Sequence, residues 1–177
     1  AVVLTALALF AWAVGAPPGF VGVLALPAAA VQLVRIWGWR PWPTRTTPLL
    51  WILHVAHGWI VVALLVLGLA AFGLADPAAT LHILSVGAMA GLIIGMITRT
   101  ALGHTGRPLK AGFGETLCYW LIGIALILRV AIWFGLPDRY YIPCLYASAT
   151  FWTLCFLIYL WKYVPILTRP RVDGKPG

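Results

Sequence analysis

Histidines, methionines and isolated arginines are the side chains of this 177-residue chain that could do chemistry in an apolar setting. His54 and His57 form a His-x-x-His pair. Spacing of three puts both rings on one helix face, about one turn apart. Neutral imidazole is a ligand for iron, copper or zinc, and the same spacing also suits a hydrogen-bonded core pair. His82, Met89 and Met96 recur every seven residues, which on an α-helix lines imidazole and thioether groups along one face. Gly87, Gly91 and Gly95 recur every four residues on a roughly opposite face, a small-residue line that admits a second helix closely.

Arginine adds anion chemistry. His104 falls in the connection Thr98–Leu109 with Arg99 and Arg107. A guanidinium can grip a carboxylate or phosphate bidentately, so this loop suits a haem propionate, an anionic lipid or a topology-setting turn. Arg129 lies inside an apolar segment, where an unpaired charge costs about 2.5–3.5 kcal/mol. It either snorkels to the nearer face or pairs with an acidic group such as a propionate. Glu115 opens a helix, where a carboxylate suits the dipole without further function. Cys118, Cys144 and Cys155 show no CxxC spacing and read as small buried hydrophobes.

The elements that must position these groups are transmembrane helices. Hydrophobic residues make up 63% of the chain and charged residues 9%, against about 25% charged in a soluble domain. Six stretches approach the roughly 20 apolar residues a span needs: Ala1–Gly15, Phe20–Trp37, Leu49–Leu74, Ala78–Ile97, Gly112–Leu136 and Tyr141–Leu160. Together they predict an all-α, polytopic bundle, a single unit over residues 1–177 with no soluble domain. Ten of the twelve bases alternate to one side: Arg35, Arg40 and Arg45, then Arg99, Arg107 and Lys110, then Lys162, Arg169, Arg171 and Lys175. That side is expected to be cytoplasmic, with both chain ends on it. Trp37, Trp39, Trp42, Trp133 and Trp161 fall near segment ends and read as interfacial anchors.

Helical rise places His54 and His57 roughly 9 and 13 Å from the cytoplasmic edge, and His82 roughly 6 Å from the opposite edge. A haem clamped between His57 and His82 would need ligands at one depth, and these differ by about 10 Å. His57 and Met89 come out nearly level, which permits a His/Met site. Two separate sites, one towards each face, fit at least as well. The net charge of +8 is spread between apolar runs, which argues against nucleic acid. The chain has no Gly-x-Ser-x-Gly, P-loop or carboxylate pair, so hydrolase chemistry has no support and catalytic residues stay unassigned.

The run His82-Ile-Leu-Ser-Val-Gly-Ala-Met89-Ala-Gly91, the stretch Leu102-Gly-His104-Thr-Gly-Arg107-Pro-Leu109 and the upstream Pro48-Leu-Leu-Trp-Ile-Leu-His54 resemble the NnrS family. The resemblance covers roughly residues 30–165. It implies a polytopic bacterial inner-membrane protein of about twelve helices, of which this chain looks like the C-terminal half, completed by an N-terminal half. It further implies haem (b-type) and copper as cofactors and a role in nitric oxide response and nitrosative stress in denitrifying and pathogenic bacteria. His54, His82 and His104 match the family pattern; His57 is less typical of it.

Three functions are therefore carried forward. The first is a haem/copper membrane protein that handles nitric oxide as a ligand or protects against it. The second is a quinol-linked electron-transfer cytochrome, which needs two histidines at matching depth. The third is half of a transporter, which expects broken helices near the midplane. The proline and glycine interruptions fall mainly between segments, which ranks it last.

Overall fold

Proline sets where three of the six helices begin. Pro18, Pro48 and Pro77 each occupy a first helical position, where the missing N–H costs nothing. The computed structural model describes residues 1–174, and every regular element among them is helical. The Lys175 assignment lies outside the described residues. The helices are α1 (Val2–Ala13), α2 (Pro18–Gly38), α3 (Pro48–Ala70), α4 (Pro77–His104), α5 (Phe113–Val130) and α6 (Tyr141–Leu167). A short 3-10 turn, Trp42–Thr46, links α2 to α3, and another, Ala131–Phe134, extends α5.

Among the described residues five helices are long and apolar enough to cross a membrane. The sixth expected span, α1, has 12 residues, about 18 Å of rise against a hydrocarbon core of about 30 Å. Two ends run past their expected limits. α4 continues seven residues beyond Ile97 and carries Arg99 and His104 on helix rather than loop. The polar residues of that extension are satisfied within it: Thr98, Thr100 and Thr105 donate their hydroxyls back to the carbonyls of Ile94, Met96 and Ala101. α6 likewise continues to Leu167, with Pro165 in its last turn.

Packing follows residue size. α1, α2 and α3 close over an alanine-rich seam of Ala8, Ala11, Ala25, Ala28 and Leu64. α4 meets α3 along the expected glycine line. A Cβ on Gly91 would stand 2.9 Å from Ala56 Cβ, and one on Gly95 would stand 2.9 Å from Leu53 Cδ2. α5 and α6 pair over Cys118, Tyr119, Ile122, Cys155 and Tyr163. Cys118 and Cys155 are buried as the sequence predicts, with the Cys118 thiol donating to the Cys155 carbonyl at 3.3 Å. The outer surface is apolar instead of charged, with Phe113 and Trp161 each 82% exposed. That is the surface of a protein solvated by lipid.

One expectation about α4 does not hold. His82, Met89 and Met96 were to share a face, but Ile83–Met89 is π-helix. Its i→i+5 hydrogen bonds wind the backbone more slowly, so a spacing of seven no longer returns to the starting face. Met89 and Met96, 57% and 46% exposed, point outward, while His82 turns towards α5.

Candidate functional site

Two imidazole sites form, at different depths and on different helices. In the first, Gly38 ends α2 and the chain brings Trp39 back over α3. The Trp39 ring centroid lies 4.8 Å from that of His57 and 6.0 Å from that of His54. Arg35, one turn earlier on α2, sits over the same indole at 4.8 Å. His57 is anchored from below: its Nε2 lies 3.1 Å from Gln32 Oε1, and Gln32 Nε2 donates to Thr5 Oγ1 at 2.9 Å. An amide oxygen only accepts, so the His57 proton resides on Nε2 and the lone pair on Nδ1. That is the form in which imidazole binds a metal. Gln32 is buried and was not singled out by its sequence position; a lone glutamine in an apolar span is the signal that could have found it.

Gln32→Leu removes this anchor. The expected loss is about 0.6–1.7 kcal/mol, the range for interhelical hydrogen bonds in membranes, read as unfolding of helicity in mixed micelles. Thr5→Val, which breaks only the outer bond, should cost less.

The second site joins α4 to the end of α5. His82 stacks on Trp133 with centroids 4.8 Å apart and planes 29° from parallel. Arg129 lies over the same indole at 5.6 Å. Arg129 makes no ion pair among the described residues; it lines a cavity of about 290 Å³ with Ser148 and Trp152 of α6. Trp39 and Trp133, expected as interfacial anchors, each therefore also cover an imidazole. The same triple of imidazole, indole and guanidinium occurs in both sites.

The remaining candidates lie apart. His104 is an exposed side chain at the C-terminal end of α4 and approaches no other histidine in either cluster. Its carbonyl accepts from Arg171 Nη1 at 2.8 Å, and Val172 N–H donates to the Thr105 carbonyl at 3.3 Å. The tail so folded places the Asp173 carboxylate against Gly106. That residue has φ +71° and no room for a Cβ, which would meet Asp173 Cγ at 2.7 Å. Arg107 Nη1 is buried with no hydrogen-bond partner among the described residues. Met89 faces outward and His57 faces α2, so the level His/Met pair is not brought together. Among the described residues no group of three or more His, Cys, Asp or Glu converges.

A polar cluster that sequence reasoning passed over lies between α5 and α6. Glu115 is 1% exposed. Its carboxylate takes Lys162 Nζ at 2.6 Å on Oε1 and 2.7 Å on Oε2, the Tyr163 hydroxyl at 2.6 Å, and the Gly112 N–H at 2.8 Å. It serves as an interhelical pin more than as a dipole cap.

Apolar helices of spanning length, with imidazole and guanidinium groups set inside them, define a multi-pass helical membrane protein. In comparison with known families, the NnrS protein family matches residues 1–171. The chain belongs to the NnrS family. No curated protein and no solved structure matches it.

Proposed function

We propose that this protein is a haem- and copper-binding protein of the bacterial inner membrane that responds to nitric oxide and protects against nitrosative stress. The family assignment carries the nitric oxide connection. The single structural observation that supports the cofactor is the repeated triple of imidazole, indole and guanidinium at Trp39 and Trp133.

The residues fit haem. Haem would be held here by an imidazole on its iron and a cation near its propionates. His82 with Arg129, and His54 or His57 with Arg35, each offer that pair. Bound haem iron supplies an open coordination position for nitric oxide. Trp133 holds the plane of His82 by stacking, and Gln32 holds His57 with Nδ1 free. The guanidiniums supply charge for carboxylates that the apolar surroundings would otherwise protonate. Copper is the more demanding fit, since no three of the described donor side chains converge. His54 and His57 share a neighbourhood at Trp39 and are the copper candidates. Gly91 meets Ala56 and Gly95 meets Leu53, so His82 is not level with His54 or His57, which favours this reading over a bis-histidine quinol-oxidising cytochrome.

The test is optical and elemental analysis of the full-length protein purified from membranes. A Soret band that shifts with nitric oxide and copper bound near stoichiometry are expected. His82→Ala should abolish the haem signal of its site, His54→Ala should deplete copper, and His104→Ala, on an exposed side chain, should change least. A colourless, metal-free protein would overturn the proposal.

A further inference from the structure

A groove of about 850 Å³ runs between α3 and α5, and none of His54, His57 and His82 lines it. Pro48, Trp51 and Trp59 form one wall and Trp120, Gly123 and Ile127 the other, with Arg45 at its mouth. Trp51 closes the floor against Tyr119, ring centroids 5.7 Å apart. Gly123 keeps the middle open: a Cβ built there meets nothing within 4 Å. From Pro48 to Trp59 is eleven residues of α3, roughly 17 Å of rise. One leaflet of a hydrocarbon core of about 30 Å is roughly 15 Å deep. The groove therefore starts at the basic end of the bundle and stops near the midplane.

A second cavity, of about 860 Å³, lies on the connection between α2 and α3 and shares Arg45 with the groove. Arg45 lines both, and Trp37, Arg40 and Trp42 line the second alone. Arg40 is held there with φ +50°, the only positive-φ residue other than glycine among the described residues. Neither arginine makes an ion pair among those residues. Two guanidiniums without carboxylates stand above an aromatic slot one leaflet long.

We propose that this groove is a binding site for an anionic phospholipid of the leaflet on the basic side, with its phosphate on Arg45 and Arg40 and one acyl chain between α3 and α5. A guanidinium meets a phosphodiester in bidentate geometry. A neutral quinone head would leave both charges unanswered. No histidine lines the groove for haem, and the hydroxyl of its one tyrosine, Tyr119, is bonded to Thr98.

Native mass spectrometry of the full-length protein tests this, after detergent exchange in an equal mixture of phosphatidylglycerol and phosphatidylcholine. A single retained phosphatidylglycerol is expected. Arg45→Gln should lower its retention roughly fivefold, as loss of one basic contact to an anionic lipid implies, and leave phosphatidylcholine unchanged. Gly123→Leu, whose Cβ meets nothing within 4 Å, puts a side chain into the slot and should lower retention of both lipids, with helicity checking that each variant folds. Equal retention of the two lipids by the unaltered protein would overturn the proposal. So would displacement of the lipid by inorganic phosphate alone, which marks a plain anion site. Cross-linking of a Gly123→Cys variant to another protein chain would also overturn it, because a helix would then fill the slot.

Discussion

Replacing Glu115 with alanine is expected to destabilise the helical bundle by about 2–4 kcal/mol. The carboxylate gathers Lys162, the Tyr163 hydroxyl and the Gly112 N–H at one buried point between α5 and α6. Breaking a buried ion pair by removing one partner costs about 3–5 kcal/mol, because the other charge is left without compensation. The Lys162 side chain is 34% exposed and can reach interfacial water, which lowers the figure. Tyr163, 1% exposed, has no such escape and loses its acceptor outright. Reversible unfolding in mixed micelles, followed by helicity, measures the loss. A cycle with Lys162→Met should show coupling of at least about 1 kcal/mol. A loss well below about 1 kcal/mol for Glu115→Ala would mean that the cluster does not hold the two helices together.

Gly91→Val should cost about 2–3 kcal/mol, and for a different reason. Even the first added carbon would stand 2.9 Å from Ala56 Cβ. Ala56 has no torsion with which to move aside, so α3 and α4 must separate along the whole seam from Gly87 to Gly95. Overpacking typically costs about 1–3 kcal/mol or more, and valine recovers only a few tenths from helix propensity. Gly123→Ala, with nothing within 4 Å, should leave stability unchanged or slightly raised. The same unfolding assay distinguishes them, and Ala56→Gly in the Gly91→Ala background should restore most of the smaller loss there.

Much of the architecture is legible in composition and local spacing. The apolar runs, the proline breaks and the four-residue glycine line report on one helix at a time, and each reappears in the structure. Helix ends were harder to place. Thr98 and Thr100 look like loop residues until their hydroxyls are seen bonded into the preceding turn. The face shared by His82 and Met89 was misjudged because a seven-residue period presumes uniform α winding, and no side chain in Ile83–Met89 announces a π turn.

For the candidate sites the division is similar. Histidines within apolar spans stand out because lipid penalises them. Their companions do not. Trp133 lies 51 positions after His82, and Lys162 lies 47 after Glu115. Such pairings are set by which helices become neighbours, and that information is spread over whole seams. Gln32, by contrast, was available as a lone amide among apolar residues.

The wide turn of α4 has a mechanical consequence. Below it, the segment Ala90–His104 is clamped to α3 by glycine contacts that fix its azimuth. Above it, Pro77–His82 packs Ala79 against Ala63 and Val66 of α3 while His82 stacks on Trp133. A single uniform rod would force one rotation on both ends. The π segment acts as a swivel, so the imidazole can be aimed without disturbing the seam that holds the rod in place.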